Sequence, residues 1–328
     1  MAENSAISWT RHTWNPWMGC TKVSPACDGC YAEALMDKRY RKVQWGNAPR
    51  VRTSVHTWND PFRWQGQAEK EGDRPFIFCA SLADIFDNQV NPQWRADAFE
   101  VMRKTPRLVY LLLTKRPQNI IELADKAGGL PSNAAIGTTI EDQKRADINV
   151  PALLDAKAAI NPEFAFLSCE PLLGPIDLTA LREFNPAAKP WINALSGAVT
   201  SGGVPRSRSE CGINVSTSWT SPTIDWVITG GETDQGGHKA RPTHPTWFRS
   251  LRDQCARYRV PFHHKQNGEW LPTQANDGEW PTDTVGFCRI NTFGDRVDDG
   301  WPMQKVGKKF AGRVLDGVTH DAFPEVSA

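Results

Sequence analysis

Cysteine is scarce in this chain: eight residues in 328, too few for the disulfide lattice of a small secreted domain. Net charge is nearly absent too. Thirty-eight basic residues face thirty-seven acidic ones, for a formal charge of +1, so any nucleic-acid or membrane partner must be met by a local patch. No run of about 18 apolar residues occurs, which excludes a membrane-spanning helix. The opening MAENSAISW shows no basic start followed by an apolar run, so no signal peptide is expected. Phosphate loops of the G-x-G-x-x-G and G-x4-G-K-[ST] types are missing, which argues against a nucleotide-hydrolysing motor. No Ser–His–Asp signature stands out. The expected setting is a reducing cytoplasm.

Against that sparse background, Cys20, Cys27 and Cys30 fall within eleven residues, spaced C-x6-C-x2-C, in WNPWMGCTKVSPACDGCYAEAL. Turn formers (Asn15, Pro16, Gly19, Pro25, Asp28, Gly29) fill the loop and can wrap it around an ion. Three readings compete. A structural zinc site needs four ligands, with Cys27 and Cys30 as one pair and Cys20 joined by a distant His12 or His56. Ordinary thiols need no joint role. A [4Fe-4S] cluster held by three thiolates leaves one iron open to a cofactor or substrate.

Elsewhere, short continuous apolar runs end in polar residues and lead into helical patterns. RPFIFCASLADIFD ends in Ser81 and Asp84, and RLVYLLLTKRP in Thr114, Lys115 and Arg116. NAAIGTTIED ends in Thr138, Thr139 and Glu141, EFAFLSCEPLLG in Glu170, IDWVITGGET in Glu232, and VPFHHKQNG runs through His263, His264 and Lys265. Strands buried on both faces read this way when helices cover a parallel sheet. With a first strand at AISWT, residues 6–10, about seven β units are expected. The predicted fold is therefore α/β: a parallel (β/α) barrel, full or partial, TIM-barrel-like, spanning 1–270. The cysteine loop (14–31) then lies at its carboxyl-end, active face. Residues 184–223 read as an inserted surface loop rich in Ser, Gly and Thr. Residues 271–328 read as an irregular C-terminal extension packed on the barrel.

Several motifs together (W-N-P-W-x-G-C-x6-C-x2-C-Y-A, SCEPLLGPI, WVITGGE, ARP and PFHHKQNG) resemble a phage-associated family of three-cysteine proteins that looks related to the radical S-adenosylmethionine (radical SAM) enzymes. The resemblance covers most of residues 5–180 and 224–270. It implies a [4Fe-4S] cluster on Cys20, Cys27 and Cys30 that chelates S-adenosylmethionine. An external electron donor would reduce the cluster, and cleavage would give a 5′-deoxyadenosyl radical that abstracts hydrogen from a substrate. The pattern departs from the radical SAM norm in three places. The first cysteine interval is three residues longer, Gly29 stands where an aromatic commonly precedes the third cysteine, and GGE follows the sixth strand rather than the second.

At the active face, Glu170, Glu232 and Lys265 are the candidate catalytic groups. Ser81, Asp84, Thr138 and Glu141 are the candidate cofactor contacts. For each of Glu170 and Glu232 the alternative is a salt bridge with Lys115, Arg116 or Arg241. His263 and His264 are adjacent on a strand, so only one can point inward. Finally, KRYRKVQWGNAPRVR, residues 38–52, carries six basic residues with Tyr40 and Trp45 interleaved, a mix suited to gripping phosphate and stacking bases. A charge run of this kind is otherwise a solvated helix face. A nucleic-acid base or nucleotide is the preferred substrate, with a protein partner docking on the 184–223 insertion as the runner-up. The rival class is a zinc- or cluster-stabilised nucleic-acid-binding or partner-recruiting protein without catalysis.

Overall fold

The computed structural model describes residues 3–182, 191–200, 220–273 and 286–326. Seven parallel strands form one sheet: β1 (His12–Trp14), β2 (Phe76–Cys79), β3 (Val109–Thr114), β4 (Ala134–Thr139), β5 (Ala165–Cys169), β6 (Trp226–Gly230) and β7 (Phe262–Gln266). Their order in the sheet is their order in the chain. An open doubly wound sheet reverses direction at a switch point, and here there is none. The architecture is a partial (β/α) barrel. Within this sheet β1 pairs only with β2 and β7 only with β6, so the ring does not close by pairing of β1 with β7 among the described residues.

The alternation along each strand divides the apolar residues between two cores. Phe78, Val109, Leu111, Ala135, Phe166, Trp226 and Ile228 fill the concave interior, while Ile77, Tyr110, Leu112, Ile136, Leu167 and Val227 pack beneath the helices. The helices are α1 (Val55–Glu71), α2 (Pro92–Arg103), α3 (Ile120–Lys126), α4 (Gln143–Ile160) and α5 (Pro245–Tyr258). Their starts follow local chemistry. Ser54 caps α1 by accepting the Thr57 N–H, Asn91 caps α2 ahead of Pro92, and Asp142 accepts the Arg145 N–H at the start of α4.

The first strand is not AISWT. It begins at His12, and the preceding residues bridge the open side instead. Ser8 Oγ lies 2.8 Å from His263 Nε2, and the Trp9 ring sits 4.6 Å from Phe78 and 6.5 Å from Trp226. Burying an indole there covers more area than a polar strand position would. The far end is stopped by the C-terminus, where the Phe323 ring packs on Phe76, Trp226 and His263 at 5.9, 5.4 and 5.3 Å.

The extension folds as an antiparallel sheet of β8 (Trp270–Pro272), β9 (Phe287–Ile290) and β10 (Trp301–Lys305). It also guards the edge of β7, where the His264 N–H donates to the His320 carbonyl. The insertion expected at 184–223 is not all loop: Leu181–Arg182, Trp191–Ile192 and Val199–Thr200 form a small antiparallel sheet. Within that expected loop, 184–190 and 201–219 lie outside the described residues. No helix among the described residues is long and apolar enough to cross a membrane.

Candidate functional site

The carboxyl ends of the strands open into a cavity of about 870 Å³, and all three cysteines of the opening motif line it. Cys27 is buried, and Cys20 and Cys30 are half-buried. Beside them on the wall stand Ser81, Asp84, Lys115, Arg116, Thr139, Ser168, Glu170, Glu232, Lys265 and Gln266. Polar residues from the ends of β2 to β7 thus converge on the cysteine loop.

The loop is clamped from both sides. Glu141, only 1% exposed, accepts the Ala26 N–H at 3.3 Å through Oε1. Opposite, Arg241 donates to the Pro25 carbonyl at 3.0 Å and to Asp28 at 3.3 Å. Arg241 is itself fixed by Glu232 through bonds of 2.6 to 2.8 Å. Burial alone would raise the Glu232 pKa, but the Arg241 bonds outweigh it and hold the carboxyl below its ordinary value. Of the two readings open for Glu232, the structure therefore shows the Arg241 salt bridge, and its carboxylate reaches the cysteine loop through that arginine. Gly29 is explained by the same packing. A Cβ there would lie 2.8 Å from the His238 ring and 3.3 Å from Glu232 Oε1, so an aromatic neighbour ahead of Cys30 is not required to fill the space. Gly231 is likewise obligatory, since a Cβ would fall 2.1 Å from the Asn267 carbonyl.

Asp84 lies at the wall, but its carboxylate is committed. Oδ1 accepts from Thr114 Oγ1 (2.7 Å) and the Phe86 N–H (2.9 Å), and Oδ2 accepts from the Lys115 N–H (3.2 Å) and Arg116 (2.9 Å). It acts through Arg116, which donates to Cys20 Sγ at 3.6 Å and to the Thr21 carbonyl at 2.7 Å. Burial pushes the Cys20 thiol up to about 11, with Asp84 adding to the rise and Arg116 opposing it. Burial also raises Cys30, while the backbone N–H groups of Glu33 and Ala32 and the charge of Lys115 pull the other way.

Glu170 makes an ion pair that the sequence does not single out. Lys265 Nζ donates to its Oε1 at 2.5 Å and Gln266 Nε2 at 3.1 Å. With Nε2 also donating to the Gly231 carbonyl, Gln266 Oε1 is a buried acceptor without a partner. Ser81 lines the cavity and pairs with Asn15 at 3.0 Å. Thr138 does not reach it. Strand alternation turns Thr138 to the helix side, where its hydroxyl bonds the Thr114 carbonyl at 3.0 Å, and Thr139 faces the cavity instead. Glu141 supports the loop from behind rather than lining the cavity. Of the two histidines, His263 points inward and His264 packs on Phe248 of α5.

The distant histidines of a zinc site are not assembled. His12 stacks on Trp64 at 4.4 Å, and the His56 side chain is 88% exposed on α1. Among the described residues, no three His, Cys, Asp or Glu side chains converge in metal-ligand geometry. Three thiolates would suit an iron–sulfur cluster in kind; all three cysteines line one cavity, and guanidinium and backbone N–H donors are directed at Cys20 and Cys30.

A family model described as a protein of unknown function, DUF5131, matches residues 4–324. The chain belongs to that family. Comparison with curated proteins and with solved structures gives no match. The DUF5131 match runs from the residues bridging the open side to those plugging the far end, so barrel, insertion and extension all fall within one family unit.

The segment 38–52 divides. Arg50 is buried in a network with Asp87 (2.7 Å), Thr21 Oγ1 and the Gly46 carbonyl, and Arg52 pairs with Asp97 and stacks 4.0 Å over Trp58. Lys38, Arg39 and Trp45 line the cavity mouth. Lys308, from the extension, joins them. Nothing in the local sequence around Lys308 marks it; only the fold of the extension brings it there.

Proposed function

We propose that this chain is an iron–sulfur enzyme of the radical SAM type. Cys20, Cys27 and Cys30 would hold a [4Fe-4S] cluster, and the polar mouth would hold S-adenosylmethionine beside it. The observation that supports this reading is the placement of all three cysteines on one cavity at the carboxyl end of a parallel partial barrel. When bound and reduced by an external donor, the cluster and S-adenosylmethionine supply one-electron chemistry leading to hydrogen abstraction from a substrate.

The chain's own part is binding, orientation and exclusion of water. Lys265 offers an ammonium for a carboxylate, and the unpartnered Gln266 Oε1 offers an acceptor for an amino group. Together they match the two ends of a zwitterionic amino acid moiety. Glu170 sets both through its shared Oε1. Arg116, fixed by Asp84, directs positive charge at Cys20. The paired clamps of Glu141 and Arg241 hold the loop's backbone so that its sulfurs stay at the mouth.

The test is release of 5′-deoxyadenosine from S-adenosylmethionine by anaerobically reduced protein. Release that disappears in Cys30→Ala is expected. A fully loaded, reducible cluster that releases none would overturn the reading.

A further inference from the structure

The cations around the cavity mouth are not all balanced. Lys22 and Lys38 share Glu33 at 2.9 and 3.7 Å, Arg116 has Asp84, and Lys265 has Glu170. Arg39, Lys115 and Lys308 also line the mouth, and among the described residues none of these three has a carboxylate partner. They come from three distant parts of the chain: the segment after the cysteine loop, the end of β3, and the extension. A merely solvated helix face would not gather unpaired charges from separate elements onto one opening.

Two aromatic rings stand among them. Tyr31 is 41% exposed with its hydroxyl bonded to the Ser81 carbonyl at 2.6 Å, and Trp45 is half-buried with its backbone N–H held by Asp37 at 2.7 Å. The Tyr31 ring is anchored through its own hydroxyl, and the Trp45 ring is carried on a backbone fixed by Asp37, so both are stacking surfaces at the opening. Beyond the rim the basic character continues outward: Arg41 and Lys42 are exposed and do not line the cavity. With Arg41 and Lys42 following Arg39 in the chain, this segment carries more positive charge than one phosphate requires.

We infer that the substrate entering this mouth is one nucleotide of a single nucleic-acid strand, an inference that rests on reading the cavity as the reaction site. Arg39, Lys115 and Lys308 take the backbone phosphates nearest the entering nucleotide. Trp45 and Tyr31 offer faces for its base, and Arg41 and Lys42 follow the strand away from the opening. The contacts are to phosphates and ring faces, so binding discriminates weakly among sequences.

The experiment is fluorescence anisotropy of the cluster-loaded full chain with a labelled single-stranded oligonucleotide of about 12 nucleotides, repeated across a salt series. Unlabelled nucleoside monophosphate serves as competitor. Log affinity should fall linearly with log salt. Arg39→Gln and Lys308→Gln should each lower that slope by about one, with cluster absorption and circular dichroism unchanged. Lys104→Gln, at the end of α2 on the opposite face, should leave the slope unchanged. Absence of salt-dependent binding, or slopes unaltered in both mouth variants, overturns the inference. So does a monophosphate that competes as well as the oligonucleotide, since the strand would then add nothing. The outcomes separate this inference from the reaction type. Normal 5′-deoxyadenosine release without strand binding overturns only the substrate, and strand binding without release overturns only the chemistry.

Discussion

Glu141 and Ala26 stand 115 residues apart in the chain and meet through one hydrogen bond, the Ala26 N–H donating to Oε1 at 3.3 Å. That bond ties the end of β4 to the middle of the cysteine loop. Glu141→Ala should cost about 0.5–1.5 kcal/mol of stability, and should also lower iron retained per chain after anaerobic gel filtration. Unchanged retention would show that the Arg241 clamp alone is sufficient.

His264 makes stability depend on pH. Asn267 donates its amide to the Ala311 and Val314 carbonyls, so its Oδ1 must accept from His264 Nε2, leaving His264 Nδ1 to accept from Thr229. This neutral ring is fully buried, and burial lowers its pKa to about 4. The unfolded chain titrates near 6.5 and binds more protons between those values. Stability should therefore be fully present above about pH 6.5 and fall toward pH 4, by roughly 3 kcal/mol from this group. His263, also lowered to about 4 chiefly by burial, acts in the same direction. Urea unfolding midpoints measured across that range check it, and a flat profile would contradict it.

Trp9 takes the place that strand pairing leaves open between β1 and β7. Trp9→Ala removes a ring that is 2% exposed in the barrel interior and should destabilise the chain by about 3–5 kcal/mol in denaturant titration. Trp45→Ala, at the half-buried rim, should cost far less.

The Lys265–Glu170 pair should govern cofactor affinity. Lys265→Met leaves Glu170 with only Gln266 as a side-chain donor, and S-adenosylmethionine binding followed by equilibrium dialysis should weaken about tenfold or more. Affinity equal to that of the parent chain would place the cofactor elsewhere.

Much of the fold was readable because parallel strands covered on both faces leave continuous apolar runs, as in RLVYLLLT and EFAFLSC. The strand ends were equally readable as polar steps after those runs. What misled was AISWT. Its apolar alternation suits a strand, yet Trp9 turns into the barrel interior and packs on Phe78 of β2 and Trp226 of β6, across the side where β1 and β7 do not pair. Thr138 and Thr139 show a second limit, since both look alike in sequence and only the parity of β4 selects the one facing the cavity. Glu232 and Asp84 show a third. Carboxylates at strand ends can touch a ligand or hold an arginine, and the choice depends on Arg241 and Arg116, whose positions are set by tertiary packing. Lys308 was invisible because its element reaches the mouth only after the extension has folded back.

We propose that Cys20, Cys27 and Cys30 jointly hold an iron–sulfur cluster at the barrel mouth. The most direct measurement is iron, acid-labile sulfide and zinc content of anaerobically purified protein, parent and Cys27→Ala. About four iron and about four sulfide per chain, lost in the variant, is the expected result. One tightly held zinc per chain with no sulfide would contradict it.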